Sequence, residues 1–136
     1  MRIAALDVGE ARIGIAVSDE LGITAQGVGV VQRRGGRHDL EALAERLAPY
    51  QPERLVVGLP LNMNGTEGPQ AEKVRAFATR VAEHLALPLE FSDERLTTVA
   101  AERTLLEADL SRRRRRELID QVAATLILQT YLDRRS

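Results

Sequence analysis

The chain has 136 residues, the length of one ordinary domain, and 44% apolar with 29% charged residues lies well away from the composition of disordered chains. Without a single Cys it can hold no disulfide, thiol nucleophile or thiolate-bound zinc, so its chemistry has to come from oxygen and nitrogen groups. A net charge of -1 excludes a uniformly basic coat for nucleic acid, and two Phe, two Tyr and no Trp leave few rings to stack on bases.

Residues 2–6 form an apolar run ending at Asp7, and after Gly9 a second run, 12–18, alternates Ile13, Ile15 and Val17 with Gly14, Ala16 and Ser18. Two strands joined by a tight turn are predicted. Val28, Val30 and Val31 predict a third strand, which Arg33-Arg34-Gly35-Gly36 ends in a flexible basic loop. Leu40, Leu43, Ala44 and Leu47 have helical spacing before Pro49, and residues 55–57 are apolar on both faces, as in a strand inside a sheet. From Pro69 a second helix is predicted by Val74, Phe77, Ala78, Val81 and Leu85; Pro88 then opens a short strand with Leu89 and Phe91 that leads into Ser92-Asp93-Glu94. Helices are expected over about 96–107 and 117–132. This order predicts a single α/β domain over 1–136, with a mixed sheet and helices on both faces.

No apolar run approaches the roughly 20 residues of a membrane span. Met1-Arg2-Ile3 leads straight into a strand-like run carrying Asp7 and Glu10, unlike a signal peptide, so a cytoplasmic protein without a membrane partner is expected.

Three acids stand out. Asp7 closes the first strand, at the sheet edge where α/β proteins bind ligands, although Asp also forms turns. Glu94 follows the last strand and emerges on the same edge if that strand is parallel to the first; Asp93 competes with it because strand side chains alternate, and either residue could instead cap the next helix. Asp120 has Ala123, Ala124, Ile127 and Tyr131 at i+3, i+4, i+7 and i+11. A carboxylate on that apolar face needs a partner, which is either a cation or an arginine in a structural ion pair. Three acids from two strand ends and one helix would repel unless Mg²⁺ or Mn²⁺ sat among them, and two such ions cleave phosphodiesters without His or Cys. His38, in the Gly/Arg loop, and His84 lack a second His at ligand spacing.

Arg112, Arg113, Arg114, Arg115 and Arg116 precede the helix carrying Asp120; they either grip backbone phosphate or are simply solvated. Arg12 and Arg95 lie nearer the acids in sequence and either contact nucleic acid or pair with an acid. Residues 59–68, with Pro60, Asn64 and Gly65, make either a loop on the edge a substrate would approach or a plain connection.

Asp7-Val8-Gly9 with Arg12-Ile13-Gly14-Ile15-Ala16, Val57-Gly58-Leu59-Pro60, Asp93-Glu94-Arg95-Leu96-Thr97-Thr98 and Ile119-Asp120-Gln121-Val122-Ala123-Ala124 together resemble the YqgF/RuvX family over nearly the whole chain. The resemblance implies an RNase H-like fold, with a five-stranded mixed sheet in the order 3-2-1-4-5. It implies Asp7, Glu94 and Asp120 as catalytic, metal-binding acids for Mg²⁺ or Mn²⁺. Members are regarded either as nucleases that mature the 5′ end of the 16S ribosomal RNA precursor or as Holliday-junction resolvases; a non-catalytic RNA- or ribosome-binding module is the third reading, and a monomer or homodimer fits. RuvC-type resolvases carry a Glu just after the fourth strand, where this chain has Gly58-Leu59-Pro60.

Overall fold

The computed structural model describes residues 1–96 and 112–135, with side chains for 1–95 and 118–135. The elements are β1 (Ile3–Val8), β2 (Arg12–Ser18), β3 (Ala25–Gln32), α1 (Gly36–Leu47), β4 (Arg54–Leu59), α2 (Pro69–Leu85), β5 (Leu89–Asp93) and α3 (Arg112–Arg135), with single 3-10 turns at Ala48–Tyr50 and Glu94–Leu96. Strand order is β3-β2-β1-β4-β5; β1 pairs antiparallel with β2 and β2 with β3, whereas β1, β4 and β5 run parallel. This is the mixed sheet expected from the sequence.

Strand alternation divides the core into two layers. Ala4, Leu6, Val8, Ile13, Ile15, Val17, Leu55, Val57 and Leu59 point to one face and are buried with α1 and α2 side chains such as Leu43, Leu47, Val74 and Phe77. The other face carries Ile3, Ala5, Ala16 and Val56, buried under Ala123, Ala124, Ile127, Leu128 and Leu132 of α3. The two faces differ in side-chain size. Branched residues on the first face fill the space beneath two helices, while the small residues on the second let the backbone of α3 approach the strands directly. The Gly14, Ala16, Ser18 alternation seen in the sequence is therefore the bed of α3.

Three expectations need correction. The arginine run does not precede the last helix: α3 begins at Arg112, so Arg112 to Arg116 form its first turns. These helical turns reach about 12 Å N-terminal to Asp120 at 1.5 Å per residue. His38 lies within α1 and not in a loop. The 33–36 segment is tied down and not a flexible loop, because the backbone N–H groups of Arg34 and Gly35 donate to the buried Asp39 carboxylate at 2.9 and 3.2 Å. The helix expected over 96–107 lies, past Leu96, outside the described residues.

Candidate active site

Parity along β1 decides where Asp7 points. Ile3 and Ala5 face α3, so Asp7, two residues further on, faces it too, at the C-terminal edge of the strand. It is 4% exposed, and among the described residues only Asp39 is a comparably buried carboxylate.

Two glycines bring the other acids to this row. Gly14 is the β2 partner of Asp7, and a Cβ on it would lie 1.9 Å from the backbone carbonyl oxygen of Asp120. Only a residue without a side chain lets α3 seat Asp120 beside Asp7. Gly58 follows Val57, the β4 partner of Leu6, and so continues the ladder next to Asp7 on its other side. A Cβ there would lie 2.6 Å from Ile127 Cδ1 and 3.0 Å from Glu94 Oε1. The space a side chain at position 58 would take is shared by Ile127 of α3 and by Glu94, which leaves the end of β5 on the same sheet edge.

Register also separates Asp93 from Glu94. Asp93 pairs with Leu59, whose side chain is buried on the α1/α2 face. The Asp93 carboxylate is gripped by Arg95, with Nη2 at 2.7 Å and Nε at 3.1 Å from its oxygens. Hydrogen bonding from the Arg95 side chain outweighs partial desolvation and holds its pKa below the ordinary carboxylate value. Arg95 also donates to the Met63 carbonyl at 3.0 Å, pinning the 59–68 loop beside Glu94.

Asp120 is engaged by an arginine, the alternative open to it in the sequence: Arg12 Nε donates to Oδ2 at 2.6 Å, with the two side chains 23% and 13% exposed. Its helical neighbours Ala123, Ala124 and Ile127 are buried as expected; Tyr131 is half-buried and donates to Glu90. Both Arg12 and Arg95 thus pair with acids. Among the described residues no three His, Cys, Asp or Glu side chains form a ready-made metal cage. Asp7, Glu94 and Asp120 nevertheless carry hard carboxylate oxygens, the chemistry that suits Mg²⁺ or Mn²⁺. The glycine row brings Asp120 and Glu94 in from opposite sides.

One structural group went unread in the sequence. Arg33 Nη1 donates to the Gly9 carbonyl at 2.9 Å, its Nε lies 3.5 Å from Asp39, and its guanidinium covers the Phe77 ring at 4.5 Å. It braces the turn that follows Asp7. Burial pushes the Asp39 carboxyl up, but hydrogen bonds from Arg34, His38, Gly35 and Arg33 outweigh burial and hold its pKa below the usual value. An Asp in a first helical turn, near basic residues and glycine, was the available signal.

Sheet order, helices on both faces and an acid-lined edge at the ends of β1 and β5 define an RNase H-like α/β protein. The chain belongs to the RuvX family: the family model described as Holliday junction resolvase matches residues 1–134. It is 64% identical over 134 residues to a Moorella thermoacetica protein named "Putative pre-16S rRNA nuclease", covering 98% of this chain and 96% of the relative. A Symbiobacterium thermophilum protein of the same name is 59% identical over 136 residues, covering 100% and 94%. Among solved structures, RuvC of T. thermophilus in complex with a Holliday junction substrate aligns with a TM-score of 0.58 at 17% identity, covering 100% of this chain and 97% of that one. The fowlpox virus Holliday junction resolvase gives 0.57 at 15% identity, with both chains fully covered. These two likenesses establish the fold.

Proposed function

We propose that this chain is a divalent-metal-dependent nuclease that processes the 5′ end of the 16S ribosomal RNA precursor. The observation carrying the proposal is the place of Asp7 in the sheet between Gly14, against which the Asp120 backbone lies, and the Gly58 position, against which the Glu94 side chain lies. The names of relatives at 64% and 59% identity support the RNA substrate.

In this reading Asp7, Glu94 and Asp120 hold Mg²⁺ or Mn²⁺. When bound, the metal activates water and stabilises the leaving oxygen of the phosphodiester. Asp7 is the fixed member, set by the strand and screened from water by α3. Asp120, which here pairs with Arg12, would be the adjustable one, and its carboxylate would have to turn from Arg12 to hold an ion. An Arg12 freed in that way would be a cation at the site edge able to meet a phosphate. Arg95 keeps Asp93 occupied and holds the 59–68 loop in place, while Arg112, Arg113, Arg114, Arg115 and Arg116, on the helical turns preceding Asp120, grip backbone phosphate away from the cut. The single domain acts in the cytoplasm on a pre-ribosomal particle, as a monomer or homodimer; among the described residues no helix is long and apolar enough to cross a membrane.

Incubation with precursor 16S RNA and with a four-way DNA junction, each with Mg²⁺ or Mn²⁺ beside an Asp7→Asn control, tests this reading. Cleavage of the RNA by the parent alone is expected; cleavage by neither protein, or by both equally, contradicts it. Junction resolution is the second reading, favoured by the family model's description, and it requires paired active sites in a symmetric dimer. Against it stands the Gly58-Leu59-Pro60 stretch at the end of β4, since RuvC-type resolvases carry a Glu just after the fourth strand.

A further inference from the structure

On the face of the sheet away from α3, a cavity of about 540 Å³ opens between the β1–β2 turn and α2, lined among others by Val8, Gly9, Arg33, Lys73, Phe77 and Arg80. It is as large as many ligand pockets, and its wall is both apolar and cationic. Of its three cations, Arg33 is committed to Gly9, Asp39 and Phe77. Lys73 and Arg80 are not: both are exposed on α2, two helical turns apart, and neither makes an ion pair with another described residue. Glu10 is the one carboxylate on the wall. An anion entering here meets a positive balance without having to break an existing pair, and Val8 and Phe77 supply apolar surface for whatever is attached to it.

The position gives the cavity a reason. Val8, Gly9 and Glu10 directly follow Asp7, and neighbouring strand residues point to opposite faces, so Asp7 and the cavity lie on the two sides of one sheet edge. The residues of the β1–β2 turn, Gly9 and Glu10, share that cavity wall with Lys73 and Arg80.

We propose that this cavity is a second nucleic-acid subsite, in which Lys73 and Arg80 hold backbone phosphate of the substrate strand after it passes over the β1–β2 turn. The proposal rests on the nuclease reading given above and adds a path for the strand. It takes phosphate within a polynucleotide and not a free nucleotide, because the two cations are spread along about 10 Å of α2, at 1.5 Å per residue.

The test compares the parent chain, the Lys73→Gln/Arg80→Gln double variant and Glu10→Gln. A fluorescently labelled single-stranded RNA of about 30 nucleotides is bound in EDTA across a KCl series, and cleavage is then followed with Mn²⁺. On a single strand each backbone phosphate contact contributes about 0.7 to the slope of log affinity against log salt. The double variant should lose about 1.4 units of slope and raise KM while keeping kcat. Glu10→Gln should bind more tightly than the parent, a gain that misfolding cannot produce. Unchanged slope and KM in the double variant, with a parent that binds and cuts RNA, overturn the subsite and leave the nuclease reading standing. A parent that neither binds nor cuts RNA or junction DNA overturns both. If adenosine 5′-monophosphate binds the parent, the double variant loses that binding, and the RNA slope is unaltered, the cavity is a small-molecule site and the proposal is wrong.

Discussion

Arg12 Nε lies 2.6 Å from Asp120 Oδ2, joining the first residue of β2 to α3 across 108 positions of the chain. The pair keeps a half-buried carboxylate neutralised beside Asp7, and in the nuclease reading it is the contact that metal has to displace. Arg12→Gln should therefore destabilise the metal-free protein by about 1–2 kcal/mol, between the cost of losing an exposed and a buried pair. Added Mn²⁺ should recover more of the thermal midpoint in the variant than in the parent. Equal metal responses in thermal melts would show that arginine and metal do not compete for Asp120.

Gly14 and Gly58 should behave differently when given a methyl group. At Gly14 the added carbon meets a backbone oxygen at 1.9 Å, which cannot move without lifting α3, so Gly14→Ala should cost about 3 kcal/mol or more. At Gly58 it meets the ends of the Ile127 and Glu94 side chains at 2.6 and 3.0 Å, which can rotate. Gly58→Ala should fold with a smaller loss of stability yet cleave poorly, because Glu94 has moved. Denaturant melts and cleavage rates read both effects, and a stable, fully active Gly14→Ala would refute the close seating of α3.

Asp39 makes the first turn of α1 acid-labile. Its folded pKa lies below the unfolded value of about 3.9, so its contribution is fully present above that pH and is lost as pH falls through the folded value. Asp39→Asn should lower stability by about 1–3 kcal/mol near neutral pH through weakened bonds to Arg34 and Gly35. The gap in melting temperature from the parent should stay constant from pH 7 to about 5 and narrow below about 4. A gap unchanged at lower pH would mean that the Asp39 charge contributes nothing.

Much of the fold was legible because strand periodicity survives in the residues themselves. The alternation of Ile13, Ile15 and Val17 with Gly14, Ala16 and Ser18 marks both faces of β2, and the apolar neighbours of Asp120 mark the buried side of α3. What was not legible depends on register between distant segments. Asp93 and Glu94 are equivalent in sequence until the pairing of Asp93 with Leu59 turns one toward α2 and leaves the other beside Gly58. Gly14 is only one of the alternating small residues of β2 until α3 arrives, and Arg33 reads as loop until Asp39, Gly9 and Phe77 converge on it. The start of α3 was placed late because a run of arginines carries no apolar period, although Arg is a good helix former.

The second acid can be settled by substitution. Asp93→Asn should retain most metal-dependent cleavage, since that carboxylate is occupied by Arg95, whereas Glu94→Gln should reduce cleavage to background. The opposite ranking in a cleavage assay would reassign the site to Asp93.

The most direct measurement is equilibrium binding of Mn²⁺, followed by the loss of the free-ion EPR signal, to the parent and to Asp7→Asn, Glu94→Gln and Asp120→Asn. The account predicts saturable binding by the folded parent and marked weakening in each of the three variants. A parent that takes up no Mn²⁺, or three variants that take it up as the parent does, would contradict the claim that these acids hold the metal.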